Sequence, residues 1–182
     1  MRTEIRLAGF GGQGIVLGGY ILGKAASIFE TKHATMTQSY GPEARGGACT
    51  SNVVIEDERI AYPAVTHPDI LVLMSQEAYH TYEANIREGV RVLYDPDLVQ
   101  IEAGLPGELT PVPAMRIADE LGRKIVANIV MLGFLAAATG ALDPEAVKKA
   151  VLSTVPAHTR ELNEKAFDRG YAEGLKARGK GG

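Results

Sequence analysis

A short apolar run, Ile5, Leu7 and Ala8, breaks into Gly9-Phe10-Gly11-Gly12-Gln13-Gly14 and then into apolar positions at helical spacing, Ile15, Leu22, Ala25, Ala26 and Phe29. A glycine turn between a strand and a helix constrains the fold more than any other feature here. It lets the backbone reverse tightly and lays the helix against a sheet, as in open α/β folds. The spacing Gly9-x-Gly11-x-x-Gly14 is that of the dinucleotide-binding fingerprint, and the helix N-terminus behind it offers unpaired N–H groups to an anion. The second half of that fingerprint is an acid at the end of the next strand, which holds the ribose hydroxyls. Here the next strand, His33 to Thr37, runs into Gln38-Ser39-Tyr40, and Glu30 precedes it. The pattern gives NAD little support, and of the two readings left, a phosphate or another anion at the turn stands somewhat ahead of a glycine turn that merely packs a helix against a sheet.

Strands and helices alternate through the rest of the chain. Strands are expected at Thr50 to Ile55 and, after the turn Asp57-Glu58, as a return strand at Arg59 to Tyr62. The run Asp69 to Met74 is continuously apolar after its acidic start, the pattern of a strand covered on both faces. Ser75 can cap a helix from Gln76, with Glu77 in its first turn. Val90 to Tyr94 is a second buried strand, stopped by Asp95-Pro96, and Leu109 to Val112 fits another. Helices follow at Met115 to Leu121, from near Lys124, from Asp143-Pro144-Glu145 to about Thr154, and from Thr159, where Phe167, Tyr171 and Leu175 share one face. The pattern predicts an α/β fold: a three-layer α/β/α sandwich with a mostly parallel, Rossmann-like sheet and a helical C-terminal part. Residues 1–182 read as a single domain with a flexible tail at about 176–182.

Composition narrows the function classes. With 19 Lys plus Arg against 22 Asp plus Glu, the net charge of −3 gives no support to a nucleic-acid binder working through a basic surface. The single cysteine, Cys49, excludes an internal disulfide and any cysteine-ligated iron–sulfur cluster built from this chain alone. Its place after a glycine pair predicts a buried, inert thiol. No charged n-region leads into an apolar stretch with a cleavage site, so the chain reads as cytoplasmic. Residues Ile125 to Leu142 carry no charge, but Asn128, Thr139 and several small residues favour a buried helix over a membrane span. Gly133, Ala136, Ala137 and Gly140 would let another backbone approach it closely. His33, His67, His80 and His158 show no metal-ligand spacing, and no Ser-x-x-Lys or Gly-x-Ser-x-Gly element is present. No catalytic set emerges from the residues.

The second polar loop, Gln38-Ser39-Tyr40-Gly41-Pro42-Glu43-Ala44-Arg45-Gly46-Gly47, is the more informative segment. In a doubly wound sheet it lies at the carboxyl end of the second strand, beside the first glycine turn, where ligands bind. Arg45 before two glycines offers a planar fork to phosphate or carboxylate, although by composition alone an exposed arginine in a surface loop is the better reading.

Taken together, the two loops resemble the gamma subunits of the 2-oxoacid:ferredoxin oxidoreductases (the pyruvate/ketoisovalerate oxidoreductase gamma family). The match continues through Tyr62-Pro63, Pro68-Asp69-Ile70-Leu71, Ser75-Gln76-Glu77-Ala78, Asn128 to Gly133, Val155-Pro156, Glu161-Leu162-Asn163 and Ala166-Phe167. The stand-alone gamma subunits of 2-oxoglutarate oxidoreductases are the nearest in overall pattern. Pyruvate, branched-chain 2-oxoacid and indolepyruvate enzymes remain open, since nothing in the chain reads a substrate side chain. The resemblance implies coenzyme A-dependent oxidative decarboxylation of a 2-oxoacid with electrons passed to ferredoxin. It places thiamine diphosphate, magnesium and the iron–sulfur clusters on partner subunits, one thiamine-binding and one ferredoxin-like, and coenzyme A at the subunit interface. The matching cofactor-binding positions are Gly9, Gly11, Gly12, Gln13 and Gly14 with Ser39, Tyr40, Gly41, Glu43, Arg45, Gly46 and Gly47. Arg45 and the Gly11, Gly12 and Gln13 backbone meet either coenzyme A phosphates or the thiamine-bearing partner. Neither nucleic acid nor membrane is an expected partner. The isolated chain is expected to be inactive and able to form a homodimer. Partner subunits could cover the uncharged helix and the Phe167 stripe. A free-standing nucleotide-binding module or NAD(P)-dependent reductase using the Gly9–Gly14 turn is the alternative.

Overall fold

The computed structural model describes residues 1–42 and 47–179. Strand β1 (Arg2–Phe10) sends Ile5 and Leu7 into the larger core, while Arg2, Glu4 and Arg6 alternate onto the other face. The glycine turn leads to α1 (Ile15–Lys24), which ends in a wide π turn at Ala25–Phe29. Next come β2 (His33–Tyr40), β3 (Ala48–Glu56), β4 (Ile70–Leu73), α2 (Gln76–Tyr82), β5 (Arg91–Tyr94) and β6 (Glu108–Pro111). The helical part is α3 (Ala114–Glu120), α4 (Ala127–Thr139), α5 (Pro144–Leu152) and α6 (Arg160–Gly179).

One six-stranded sheet has the order β2-β3-β1-β4-β5-β6. The pairs β1–β4, β4–β5 and β5–β6 are parallel, whereas β3 is antiparallel to both β1 and β2. Only β3 therefore runs against the others, and the sheet is mostly parallel as expected. Helix α2 packs on one face with Leu71, Leu73, Tyr79, Val92 and Val99, and the larger core with the remaining helices fills the other. The three layers are present, unequally filled.

Two local expectations fail for physical reasons. Residues 59–62 form no return strand. The charged face of β1 captures the following segment with side chains: Arg2 donates to Ala64 O (3.1 Å), Arg6 to Val65 O (2.9 Å), and Glu4 accepts from the Thr66 and His67 amides (2.9 and 3.1 Å). These four backbone groups of residues 64–67 are thus satisfied by side chains of β1 and not by a ladder. Strand β2 also runs on to Tyr40, through three residues read as loop.

Helix α4 is buried by its own chain. Every residue from Ala127 to Ala137 is buried, and no helix is long and apolar enough to cross a membrane among the described residues. α6 lies directly on it. Gly170 and Gly174 of α6 and Gly133 of α4 each sit where an added Cβ would press on the opposing helix backbone. Phe167 is buried against α4 and stacks on Tyr171 with ring centroids 6.5 Å apart, leaving Leu175 as the exposed end of the stripe. The helix and most of the stripe are thus covered from within, and neither needs a partner to cover it.

Both sequence-predicted caps form. Ser75 Oγ accepts from the Ala78 amide (3.1 Å), and Asp143 accepts from the Ala146 amide (3.2 Å) ahead of Pro144. Asp143→Ala is expected to cost about 1 kcal/mol and to lower the midpoint of thermal unfolding by roughly 2–4 °C, read by circular dichroism. An unchanged midpoint would remove the cap from the account.

Candidate functional site

The carboxyl ends of β1, β2 and β4 and the amino end of β3 meet at the glycine turn. Gly9, one residue before the end of β1, stands opposite Cys49, and an added Cβ there would press on the Gln13 side chain and on Met74. Gln13 turns inward: its Oε1 accepts from the Phe10 amide (2.7 Å) and its Nε2 donates to Met74 O (2.8 Å), which pins the turn to the end of β4. The Gly11 amide donates to Gly47 O (2.9 Å), and the Gln13 amide to Phe10 O (3.2 Å). Those two backbone donors are used within the loops. Gly12 and Gly14 have positive φ, 90° and 74°, and Gly14 is the N-cap of α1. Asn128, at the start of α4, donates from Nδ2 to Gly14 O (3.3 Å) and steadies its own helix by accepting from the Ile129 amide (2.9 Å).

Ser39 and Tyr40 end β2 opposite Thr50 and Cys49, and Gly41 donates its amide to Ala48 O (2.7 Å). Together with the Gly11–Gly47 bond, this joins the second loop to the first. Glu43, Arg45 and Gly46 lie outside the described residues.

A cleft of about 570 Å³ opens over the turn. Gly11, Gly12, Gly14 and the first α1 residues, Ile15 to Leu17, form one wall, and Phe10, Tyr40 and Cys49 the floor. Residues that sequence spacing did not bring together as a site form the other wall: Arg123, Ile125 and Asn128 before and within α4, and Pro156, Thr159 and Asn163 before and within α6. The opening turn of α1 contains no acidic residue, so its unpaired amides face the cleft uncompensated. Arg123 adds a full positive charge. Among the described residues no carboxylate, histidine or lysine lines the cleft, so it can hold an anion but has no acid–base pair to transfer a proton.

Cys49 is 4% exposed and also borders a smaller hollow of about 170 Å³ beside α2. Tyr82 closes that hollow, its hydroxyl bonded to Thr50 Oγ1 (2.8 Å) and its ring under the Arg6 guanidinium (4.7 Å). Burial pushes the Cys49 thiol above its ordinary pKa, which favours its neutral form. Among the described residues no group of three or more His, Cys, Asp or Glu could hold a metal.

The strand order bears on the fingerprint. Beside β1 runs antiparallel β3, so at the glycine turn Ala48 stands opposite Phe10 where a parallel neighbour would end in its ribose-binding acid. The reductase alternative loses its structural basis.

Residues 4–173 match the pyruvate ferredoxin/flavodoxin oxidoreductase family. The chain belongs to that family. It is 53% identical to the 2-oxoglutarate synthase subunit KorC of Methanocaldococcus jannaschii over 174 residues, covering 94% of this chain and 93% of that protein. The pyruvate synthase subunit PorC of the same organism is 33% identical over 97% of this chain and 99% of its own. Among solved structures, the gamma subunit of a keto/oxoacid ferredoxin oxidoreductase from Geobacter sulfurreducens superposes with a TM-score of 0.88 at 44% identity, over 97% of this chain and 98% of that one. The chain is a gamma-type member of this oxidoreductase family.

Proposed function

We propose that the chain is the gamma subunit of a complex that converts 2-oxoglutarate and coenzyme A to succinyl-CoA and carbon dioxide, with the electrons passed to ferredoxin. The observation that carries this reading is the cleft at the glycine turn. A helix N-terminus and Arg123 supply positive charge, the walls are otherwise largely apolar, and the described lining holds no acid–base pair. Such a cleft suits holding a phosphate-bearing molecule or a partner's loop, and leaves the chemistry to other subunits. Greater identity to a 2-oxoglutarate synthase subunit than to a pyruvate synthase subunit supports 2-oxoglutarate as the substrate.

Thiamine diphosphate with magnesium, held by a thiamine-binding partner, would supply the decarboxylation, and iron–sulfur clusters of a ferredoxin-like partner would carry the electrons. This chain's part is positional. Gln13 and Asn128 hold the turn, the amides of Ile15 to Leu17 and the Arg123 guanidinium face coenzyme A phosphates or the thiamine-bearing partner, and Tyr40 borders them. The resemblance assigns Arg45 to the same task. The complex works in the cytoplasm.

Two measurements test the reading. Tagged anaerobic purification from the native host is expected to recover a thiamine-binding and a ferredoxin-like subunit in fixed ratio; recovery of the chain alone would overturn it. In the purified complex, Arg123→Ala is expected to raise KM for coenzyme A about tenfold at nearly constant kcat, the loss of one charge-assisted contact of about 1.4 kcal/mol. Weakened assembly at unchanged KM would assign Arg123 to the partner. Unchanged KM with intact assembly would remove the cleft from both tasks.

A further inference from the structure

The two edges of the sheet are built differently. Strand β6 is four residues long, begins at Glu108 and ends at Pro111, and short length, charge and proline all discourage pairing with a foreign strand. Strand β2 has none of these guards. It is eight residues long, carries no charged residue and no proline from Ala34 to Tyr40, and among the described residues no strand pairs with its outer side. Beside it, Tyr20 of α1 and Ile28 of the π turn are 52% and 64% exposed. A groove of about 270 Å³ runs between helix and strand, lined by both side chains together with Lys24, Ser27, Ala34, Thr35 and Met36.

We propose that this face is a homodimer interface, in which β2 pairs antiparallel with β2 of a second copy and joins two sheets into one. A two-fold axis perpendicular to the sheet keeps both α1 helices on the same side, so their Tyr20 and Ile28 faces meet over the seam. Charge selects this occupant. A two-fold contact brings a surface against itself, and a like charge directly opposite its mate is repulsive. A pairing centred on Thr37 sets Thr37 opposite its mate, Met36 opposite Gln38, Thr35 opposite Ser39 and Ala34 opposite Tyr40, side chains on the same face in each pair, and no charge meets its like. Two lysines flank this face: Lys24, in the groove wall, is engaged with Ser153 O (3.2 Å) and Thr154 Oγ1 (3.1 Å) at the end of α5, and Lys32, just before β2, is paired with Glu30 (3.4 Å). A neutral seam offers a differently charged subunit nothing to recognise and accepts its own copy without penalty. The proposal does not rest on the gamma-subunit reading.

Sedimentation velocity of the purified full-length chain tests it. A dimer is expected at about 10 µM, and Ile28→Lys and Thr37→Lys, both at exposed positions, are each expected to raise its Kd at least about tenfold with an unchanged circular dichroism spectrum. Hydrogen exchange of the β2 amides is expected to quicken on dilution to monomer. If one variant fails to fold, Tyr20→Lys takes its place. A chain that stays monomeric to about 100 µM, or a dimer indifferent to the folded variants, overturns the proposal. Failure to recover partner subunits from the host would bear on the gamma-subunit reading alone.

Discussion

A Gly170→Leu chain is expected to be recovered unfolded or aggregated. Gly170 of α6 rests on the backbone of Val130 in α4, and an added Cβ would lie 2.7 Å from the Val130 carbonyl carbon and 3.0 Å from its Cα. Gly133 answers from the other helix, where a Cβ would approach the Tyr171 amide nitrogen to 2.9 Å. A backbone cannot swing aside as a side chain can, so the helices must separate. The whole buried stretch Ala127 to Ala137 would then lose its cover. Ordinary overpacking costs about 1–3 kcal/mol; prying apart two helices costs more and approaches the roughly 5–15 kcal/mol that holds a domain folded. Gly23→Ala is the control. Nothing lies within 4 Å of its added Cβ, so that change is expected to stabilise α1 by about 0.5–1 kcal/mol. Urea denaturation followed by circular dichroism separates the cases. Cooperative unfolding of the Gly170 variant within about 1 kcal/mol of wild type would mean that the helices do not meet here.

Gly14→Ala is expected to leave a folded chain and a crippled complex. The backbone at Gly14 has φ 74°, a conformation that costs a residue with a side chain roughly 1–2 kcal/mol. The new methyl group would also overlap the Asn128 amide and break its bond to Gly14 O. The turn must then leave the wall of the cleft. Ferredoxin reduction by the assembled complex is expected to fall about tenfold or more in kcat/KM for coenzyme A, while the partner subunits still co-purify. Gly12→Ala separates strain from overlap, since Gly12 has φ 90° but nothing within 4 Å of its added Cβ. It is expected to do markedly less damage. Wild-type activity of the Gly14 variant would detach the turn from the reaction.

Much of this was legible in the sequence because local chemistry decided it. The glycine turn sits between a strand and a helix, Ser75 and Asp143 cap the helices they precede, and Ile70 to Leu73 is a strand buried on both faces. What could not be read was set by partners distant in the chain. Hydrophobic patterning carries no sign of strand direction, so the insertion of antiparallel β3 between β1 and β2 was invisible. No strand forms at 59–62, and the segment just after it, residues 64–67, is held by Arg2, Glu4 and Arg6 of β1, a contact about sixty residues apart in the chain that local pattern does not show. Helix α4 was readable as buried, but not what buries it, because the signal was glycine spacing in α6. Of the cleft's lining, Gly11, Gly12 and Gly14 stand in the sequence motif. Arg123 was missed because an isolated arginine after Gly122 carries no signal until α3 and α4 bring it opposite the turn.

The position of β1 also governs how the chain reaches this fold. Its two neighbours are β3, paired from Arg2↔Glu56 to Phe10↔Ala48, and β4, paired from Ile5↔Ile70 to Ala8↔Leu73. The strand that carries the glycine turn thus has no partner nearby in sequence on either side, while β2 and β3 form a local hairpin by themselves. Closing such long loops spends chain entropy before any contact repays it, which slows folding. The cleft is therefore the product of the most non-local pairings in the sheet. It takes shape only when the centre of the sheet is complete, so a chain that has not finished folding has no site to offer a ligand or a partner.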